Sequence, residues 1–314
     1  MAAMRIVVMG SGGTGGFFGA KLARAGEDVT FVARGAHLAA LRAEGLRIRS
    51  AVEGEWSVQA PAVERLDGLP LADLVLFCVK SFDTEEAAAL IRPVVGPDTG
   101  VLSIQNGVDN EEKLARALGA GHVLGGAARI FSTIEGPGVI SHTFGGHLVF
   151  GEMDGRESAR ARELLAACAR AVIPAELTSD VTRALWEKYV FLTTHAGLTA
   201  LTRCPAGVLR AVPEVRELYR RIALELVAIG RAIGVKLDDG VFDQGMKLLD
   251  SVAPTAFTSL HHDLTHGKRL ELEALHGHAV RLAERHGVPA PTVFAVYAAL
   301  LPYRDGAPVP PARQ

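Results

Sequence analysis

The chain has 314 residues, and its 33 Lys and Arg against 35 Asp and Glu give a formal charge of −2 at pH 7. With 49% hydrophobic and 22% charged residues, it has the composition of a globular protein long enough for two domains. The balanced charge offers no basic patch of the kind that nucleic acid or an anionic membrane surface requires.

No apolar run reaches the about 20 residues that a spanning helix needs. The start, MAAMRIVVMG, runs straight into a strand and a glycine loop, which argues against a secretory signal. Cys78, Cys168 and Cys204 have no C-x-x-C spacing. They predict neither a disulfide framework nor a thiolate metal site, and they suit a reducing, cytoplasmic setting.

The first half alternates strand and helix patterns. Arg5–Met9 and Asp28–Val32 predict strands on either side of a helix over Gly12–Ala25, which stops at Gly26. Further strands are expected at Leu74–Val79, Gly100–Ile104 and Val123–Ala127, with helices over Thr84–Ile91 and Glu111–Leu118. Continuous apolar strands of this kind belong to a parallel sheet covered on both faces. Val139–His142 and Leu148–Gly151 suggest a closing hairpin with Gly145-Gly146 near its turn.

From Arg156 the pattern is almost wholly helical: Arg156–Ala171, Val181–Leu201, Val215–Ile233, Val241–Leu249 and Leu270–His286, punctuated by Pro205, Pro213, Pro254 and Pro289. The expected fold is an α/β Rossmann-type dinucleotide-binding domain over 1–178, followed by an all-α carboxyl-terminal domain over 179–314. The proline-rich tail APVPPARQ reads as loose.

Gly10-Ser11-Gly12-Gly13-Thr14-Gly15 is a G-x-G-x-x-G directly after a strand and at the head of a helix. Gly10 permits the tight turn, Gly12 a close approach to a pyrophosphate, and Gly15 tight packing of helix on strand. The free amides and the positive end of the helix dipole then face the anion. The second strand ends in Phe31-Val32-Ala33-Arg34-Gly35, with no acid to hold a ribose hydroxyl. Arg34 fits a 2′-phosphate instead, which points to NADP(H); the alternative is a solvated surface arginine. Lys80 and Asn106 follow strands at the carboxyl edge, where ligands of open α/β sheets bind. Each could instead be an ordinary loop residue.

On the helix over 181–201, Lys188 shares a face with Ala184, Leu185, Phe191, Leu192 and His195. A charged amine on such a stripe either snorkels to a rim or meets a cleft and a carboxylate, where it can serve as a general acid. In the last long helix Glu271 borders the apolar face, while Glu273 points away toward solvent. Thr258-Ser259 can donate to a carboxylate. His195 reads as a satisfied core or cleft histidine or, less simply, a second proton donor. The remaining histidines, His262 and His266 among them, carry no HExxH or matching acids, so no metal is expected.

These segments together resemble the ketopantoate reductase family: IVVMGSGGTGG, FVARG, FCVKSFDT, SIQNGVDN, WEKYVFL, LTAL and TSLHHDLTHGKRLELEALHG, over nearly the whole chain. The resemblance implies an NADPH-dependent enzyme that reduces a 2-oxo acid to a 2-hydroxy acid in pantothenate biosynthesis. It implies Lys188 as catalytic lysine, Glu271 as active-site glutamate, Asn106 near nicotinamide and substrate, and Ser259 on the substrate carboxylate. Arg34 and Lys80 become cofactor-side bases. Its partner is a small 2-oxo acid rather than a nucleic acid or membrane, with a homodimer left open. One departure stands out. The family usually has asparagines four and eight residues after the lysine, where this chain has Leu192 and Ala196. That change leaves open a more apolar 2-oxo acid, or an NADPH-binding sensor without turnover.

Overall fold

The computed structural model describes residues 3–308. The end of the proline-rich tail, 309–314, lies outside the described residues, and with it most of the segment read as loose. By packing, the chain divides into one unit of Met1–Gln105 with Asp109–Leu185 and a second of Asn106–Val108 with Trp186–Gln314.

In the first unit the described residues form one ten-stranded sheet. Chain order runs β1 (Arg5–Met9), α1 (Gly13–Arg24), β2 (Asp28–Val32), α2 (Gly35–Glu44), β3 (Leu46–Ser50), β4 (Gly54–Val58) and β5 (Ala62–Val63). It continues with β6 (Leu74–Phe77), α3 (Thr84–Ile91), β7 (Gly100–Ser103), α4 (Asn110–Leu118), β8 (Val123–Gly136), β9 (Val139–Glu152), α5 (Ala159–Arg170) and β10 (Ala175–Leu177). Across the sheet the order is β4-β3-β9-β8-β7-β6-β1-β2-β5, with β10 on β9. β1 pairs in parallel with both β2 and β6, so the chain leaves β1 in one direction and returns on its other side. The crevice at that switch point is where open α/β sheets bind ligands.

The central strand β1 is buried on both faces. Ile6 and Val8 of β1 join one apolar cluster, and Val7 and Met9 join another. The expected runs at 74–79 and 100–104 stop at Phe77 and Ser103, where the chain turns out of the sheet into loops.

The hairpin is a correction. β9 is one strand of 14 residues, antiparallel to β8, and the turn is Pro137-Gly138 between Gly136 and Val139. Gly145 sits at a register irregularity opposite Arg129 and Ile130 with φ +81°. The glycine pair therefore absorbs a bulge rather than reversing the chain.

The second unit is helical: α6 (Val181–Thr202), whose first turn belongs to the sheet unit, α7 (Ala206–Ala211), α8 (Pro213–Ala232), α9 (Gly240–Ser251), α10 (Ser259–Thr265), α11 (His278–His286) and α12 (Pro291–Leu300). α8 starts with Pro at its first position, as helices favour. Its Tyr219, Ile222, Ala223, Leu226, Ile229 and Gly230 recur at helical spacing and are buried. α7, α9, α11 and α12 all pack on it. The helix expected over 270–286 is interrupted: a single π turn over Glu273–Gly277 precedes α11. Such turns add a residue without ending the helix, so hydrophobic spacing does not reveal them.

Two histidines lie deep in this unit, His195 at 4% exposure and His276 at 0%. Burial lowers both to a pKa of about 4, with the Arg210 charge adding to the effect on His195. In the unfolded chain they titrate near 6.5. Between these values the unfolded state holds more protons, so stability is full above about pH 6.5 and is lost as pH falls toward 4. A shift of this size corresponds to up to about 3 kcal/mol for each imidazole. Urea melts at pH 7.5 and 5.0 are expected to show this loss. In an H195N/H276N variant the midpoint at pH 7.5 should drop, and its dependence on pH should flatten. A variant with the full wild-type pH slope would contradict the assignment.

Candidate active site

In the sheet unit, the loop after β1 is shaped by close packing. Gly10 has φ +97°, and a Cβ there would lie 2.8 Å from the Val79 amide nitrogen. A Cβ on Gly13 would come within 2.1 Å of the Ser132 carbonyl oxygen, and one on Gly15 within 2.2 Å of the Gly10 carbonyl oxygen. Gly12 differs, because nothing lies within 4 Å of where its Cβ would be. Three glycines thus let α1 pack onto the loop after β6 and onto β8, while the fourth faces open space.

Gly12 is the N-cap of α1 with extended backbone, makes no side-chain cap bond, and no acid follows in the first turn. α5 and α10 are built differently: Ser158 accepts from the Ala161 amide, and Thr258 from the His261 amide. The first-turn amides of α1 therefore have no side-chain acceptor, which is the arrangement that receives a phosphate. Lys21 and Arg24 in its last turn complement the opposite end of the dipole. A Cβ-free, open approach beside uncapped amides fits a dinucleotide pyrophosphate. Ser11 contributes backbone there, since its buried side chain donates to the Val32 carbonyl at 2.8 Å.

Arg34 and Lys80 stand on either side of this loop. Arg34 is the exposed N-cap residue of α2, two positions past the end of β2. Lys80 is half-buried and heads the short 3-10 turn Ser81–Asp83 after β6. Its loop is pinned by Gln105, whose Nε2 donates to the Val79 carbonyl and to Thr84 Oγ1, both at 2.9 Å. Thr84 Oγ1 in turn donates to the Ser81 carbonyl at 2.9 Å. Cys78, in the same loop, is a neutral thiol held well above its usual pKa by burial. Sequence reasoning gave Gln105 and Thr84 no role. Gln105 stands inside the SIQNG segment, and its adjacency to Asn106 was the available signal.

The helical unit holds the other candidates. Asn106 Nδ2 donates to Glu271 Oε2 at 3.3 Å, joining residues far apart in the chain. Glu271 is 5% exposed, and its carbonyl accepts from the Leu275 amide at the start of the last helical segment. Glu273 pairs with Arg281 at 2.7 Å and accepts from the Tyr297 hydroxyl at 2.8 Å, so it is a half-buried ion-pair member rather than a purely solvated charge.

Lys188 is half-buried on α6, between buried Ala184 and Leu185 and half-buried Phe191 and Leu192. His195, stacked on Phe191 with ring centroids 5.5 Å apart, is neutral near pH 7 and reads as a core histidine. Ser259 is the half-buried first residue of α10. Its neighbour Thr258 is committed to Thr199 of α6, with the hydroxyls 2.8 Å apart. That bond joins α10 to α6 three helical turns beyond Lys188. Among the described residues no cluster of three His, Cys, Asp or Glu side chains is set to hold a metal ion, and no helix is long and apolar enough to cross a membrane.

Comparison with known proteins matches two family models in tandem. Residues 6–155 match Ketopantoate reductase PanE/ApbA, and residues 180–304 match its C-terminal model. A 2-dehydropantoate 2-reductase of Halobacterium salinarum is 33% identical over 293 residues, 92% of this chain and 95% of that one. The crystal structure of a PanE/ApbA family ketopantoate reductase from Ralstonia eutropha JMP134 superimposes with TM-score 0.87 at 34% identity, covering 96% of this chain and 98% of that one. That of a 2-dehydropantoate 2-reductase from Geobacter metallireducens GS-15 gives TM-score 0.89 at 32% identity, covering 94% and 99%.

The loop geometry separates two substitutions one residue apart. G13A forces a methyl into the Ser132 carbonyl and is expected to lower stability by about 1–3 kcal/mol. G12A meets no protein atom and should cost less than about 1 kcal/mol, yet it fills the space a phosphate would approach. Thermal melts with NADPH titrations check this. The expected pattern is a stable G12A protein with weakened binding and a destabilised G13A protein; a reversed order of melting points would contradict the packing.

Proposed function

The chain belongs to the ketopantoate reductase family of oxidoreductases, and from that premise we propose that it reduces the C2 carbonyl of a 2-oxo acid, 2-dehydropantoate, to the 2-hydroxy acid with NADPH. The observation that carries this reading is the pairing of Asn106 with the buried Glu271 in the same unit as Lys188. A carboxylate at 5% exposure is expensive to keep without a polar neighbour or a ligand.

The glycine loop offers its uncapped amides to the pyrophosphate, Arg34 its guanidinium to the 2′-phosphate, and Lys80 a further positive charge. When bound, NADPH supplies a hydride to C2 of the 2-oxo acid. Negative charge then develops on the carbonyl oxygen. The Lys188 ammonium stabilises that charge and gives the oxygen its proton, completing the alcohol. Its apolar surroundings strengthen the field it exerts on that oxygen. Glu271 orients the ammonium or a substrate hydroxyl, Asn106 holds Glu271 and lies near the reacting groups, and Ser259 donates to the substrate carboxylate.

A second reading concerns the substrate alone. Leu192 lies one turn beyond Lys188 and is half-buried, while Ala196 is 1% exposed and packs into the helical core. Neither can hydrogen-bond a polar substituent, which favours a 2-oxo acid with a more apolar side chain.

Removing a donor to a developing oxyanion lowers kcat by on the order of 10²–10³. K188A should show that loss in steady-state NADPH oxidation while binding NADPH as the wild type does. Near-normal turnover in K188A would contradict the role of the lysine. Ranking 2-oxo acids by kcat/KM decides between the two substrate readings: 2-dehydropantoate first supports the former, an unhydroxylated branched or aromatic oxo acid first the latter.

A further inference from the structure

His37 is not among the residues to which the sequence gives a function. It lies in the first turn of α2, three residues past Arg34, and is half-buried. Its two ring nitrogens reach in different directions. Nε2 is 2.9 Å from the Ser11 carbonyl oxygen. Nδ1 is 3.0 Å from the amide nitrogen of Gly138, at the β8–β9 turn. A backbone amide can only donate, so Nδ1 carries the lone pair, Nε2 carries the hydrogen, and Nε2 donates to Ser11. The imidazole is thereby fixed as one neutral tautomer, in keeping with the downward pull of burial on its pKa.

Both ends of this bridge are anchored. The Gly138 carbonyl accepts from the Arg47 amide of β3 at 2.8 Å. A Cβ on Gly138 would stand 2.9 Å from Ala40 Cβ, so the turn is seated directly on α2. At the other end, the Ser11 hydroxyl is tied to the Val32 carbonyl at 2.8 Å. Ser11 is thus held by its side chain and by its carbonyl.

The consequence follows from peptide geometry. The Ser11–Gly12 peptide is planar and trans, so its C=O and N–H point in opposite directions. While His37 holds the Ser11 carbonyl, the Gly12 amide is turned away from His37. Gly12 is the loop residue with open space around it, and as a glycine it can accommodate a peptide flip. A flipped peptide would turn the carbonyl dipole where the amide should be, which an anion disfavours.

Resting on the cofactor reading above, we propose that His37 is a positioning residue: it locks the Ser11–Gly12 peptide with its amide available to the dinucleotide pyrophosphate and its carbonyl withdrawn. The role concerns the pyrophosphate, so it acts on NADPH and NADH alike, whereas Arg34 acts on the 2′-phosphate that only one of them carries.

Three variants test it by fluorescence titration with NADPH and NADH. H37Q carries an amide nitrogen near the Nε2 position and keeps the donor to Ser11. H37N keeps the acceptor for Gly138 but loses that donor. H37F loses both. H37N and H37F are expected to bind both dinucleotides about tenfold more weakly, the worth of a hydrogen bond of about 1.4 kcal/mol. H37Q should bind within about twofold of wild type. In H37N, KM for NADPH should rise about tenfold, with kcat at saturating NADPH unchanged. An unchanged dissociation constant in H37N, or loss confined to NADPH, overturns the proposal. Should H37F fail to fold, H37N and H37Q carry the comparison. Amide 15N relaxation dispersion at Gly12 in the free protein needs no cofactor and is expected in H37N, where the unlocked peptide exchanges between two orientations, and not in wild type. If wild type bound neither dinucleotide, the cofactor reading would fall, and equal relaxation dispersion at Gly12 in wild type and H37N would dispose of the peptide lock separately.

Discussion

The sheet unit depends on one constraint: α1 must begin almost in contact with the strands it follows, while its first-turn amides have no side-chain acceptor. Cβ atoms at Gly10, Gly13 and Gly15 would collide with the loop after β6, with the β8 backbone and with the loop itself. Their absence brings the helix terminus to the carboxyl edge at the β1/β6 switch point. Four such amides in water would be unremarkable. Held at the end of a dipole with no capping side chain, they have the arrangement that receives an anion. The same requirement explains the dense hydrogen bonding around the loop, where Ser11 is tied to β2 and to α2 and Gln105 secures the Lys80 segment. A site made of backbone has no side chain to adjust, so its neighbours must hold it still.

The helical unit addresses a different problem, that of keeping polar groups inside an apolar bundle. His195 and His276 are accommodated by remaining neutral. Glu271 is accommodated beside Asn106, at the head of a segment that opens with a π turn. Lys188 keeps partial exposure on an otherwise apolar face. Polar groups placed at such cost in a bundle core are commonly there for chemistry, and the proposed reaction gives Lys188 and Glu271 tasks that need a charged amine and a carboxylate in dry surroundings.

Much of the fold was legible because it rests on local pattern. Apolar runs marked β1, β2, β6, β7 and the first part of β8, and helical spacing marked α3, α6, α8 and α9. The glycine loop was legible because its residues are consecutive. What the sequence hid depends on distant partners. The arginines of Leu46–Ser50 face outward while Leu46, Ile48 and Ser50 face in, a period-two pattern too short to stand out. Gly145-Gly146 looked like a turn because a bulge and a turn use the same residue. Asn106 could be placed at a strand end, but its membership of the helical unit follows from packing alone. His37 and Gln105 act through bonds to backbone atoms 26 residues away, which no periodicity encodes.

In the proposed reaction a reduced nicotinamide and a 2-oxo acid exchange a hydride on this chain. Isotope tracing reads that event itself. With NADPH deuterated at the transferable C4 position and 2-dehydropantoate as acceptor, the account predicts pantoate bearing one deuterium at C2, with oxidised cofactor formed in equal amount. Tight NADPH binding with no deuterium delivered to this or any other 2-oxo acid would contradict it.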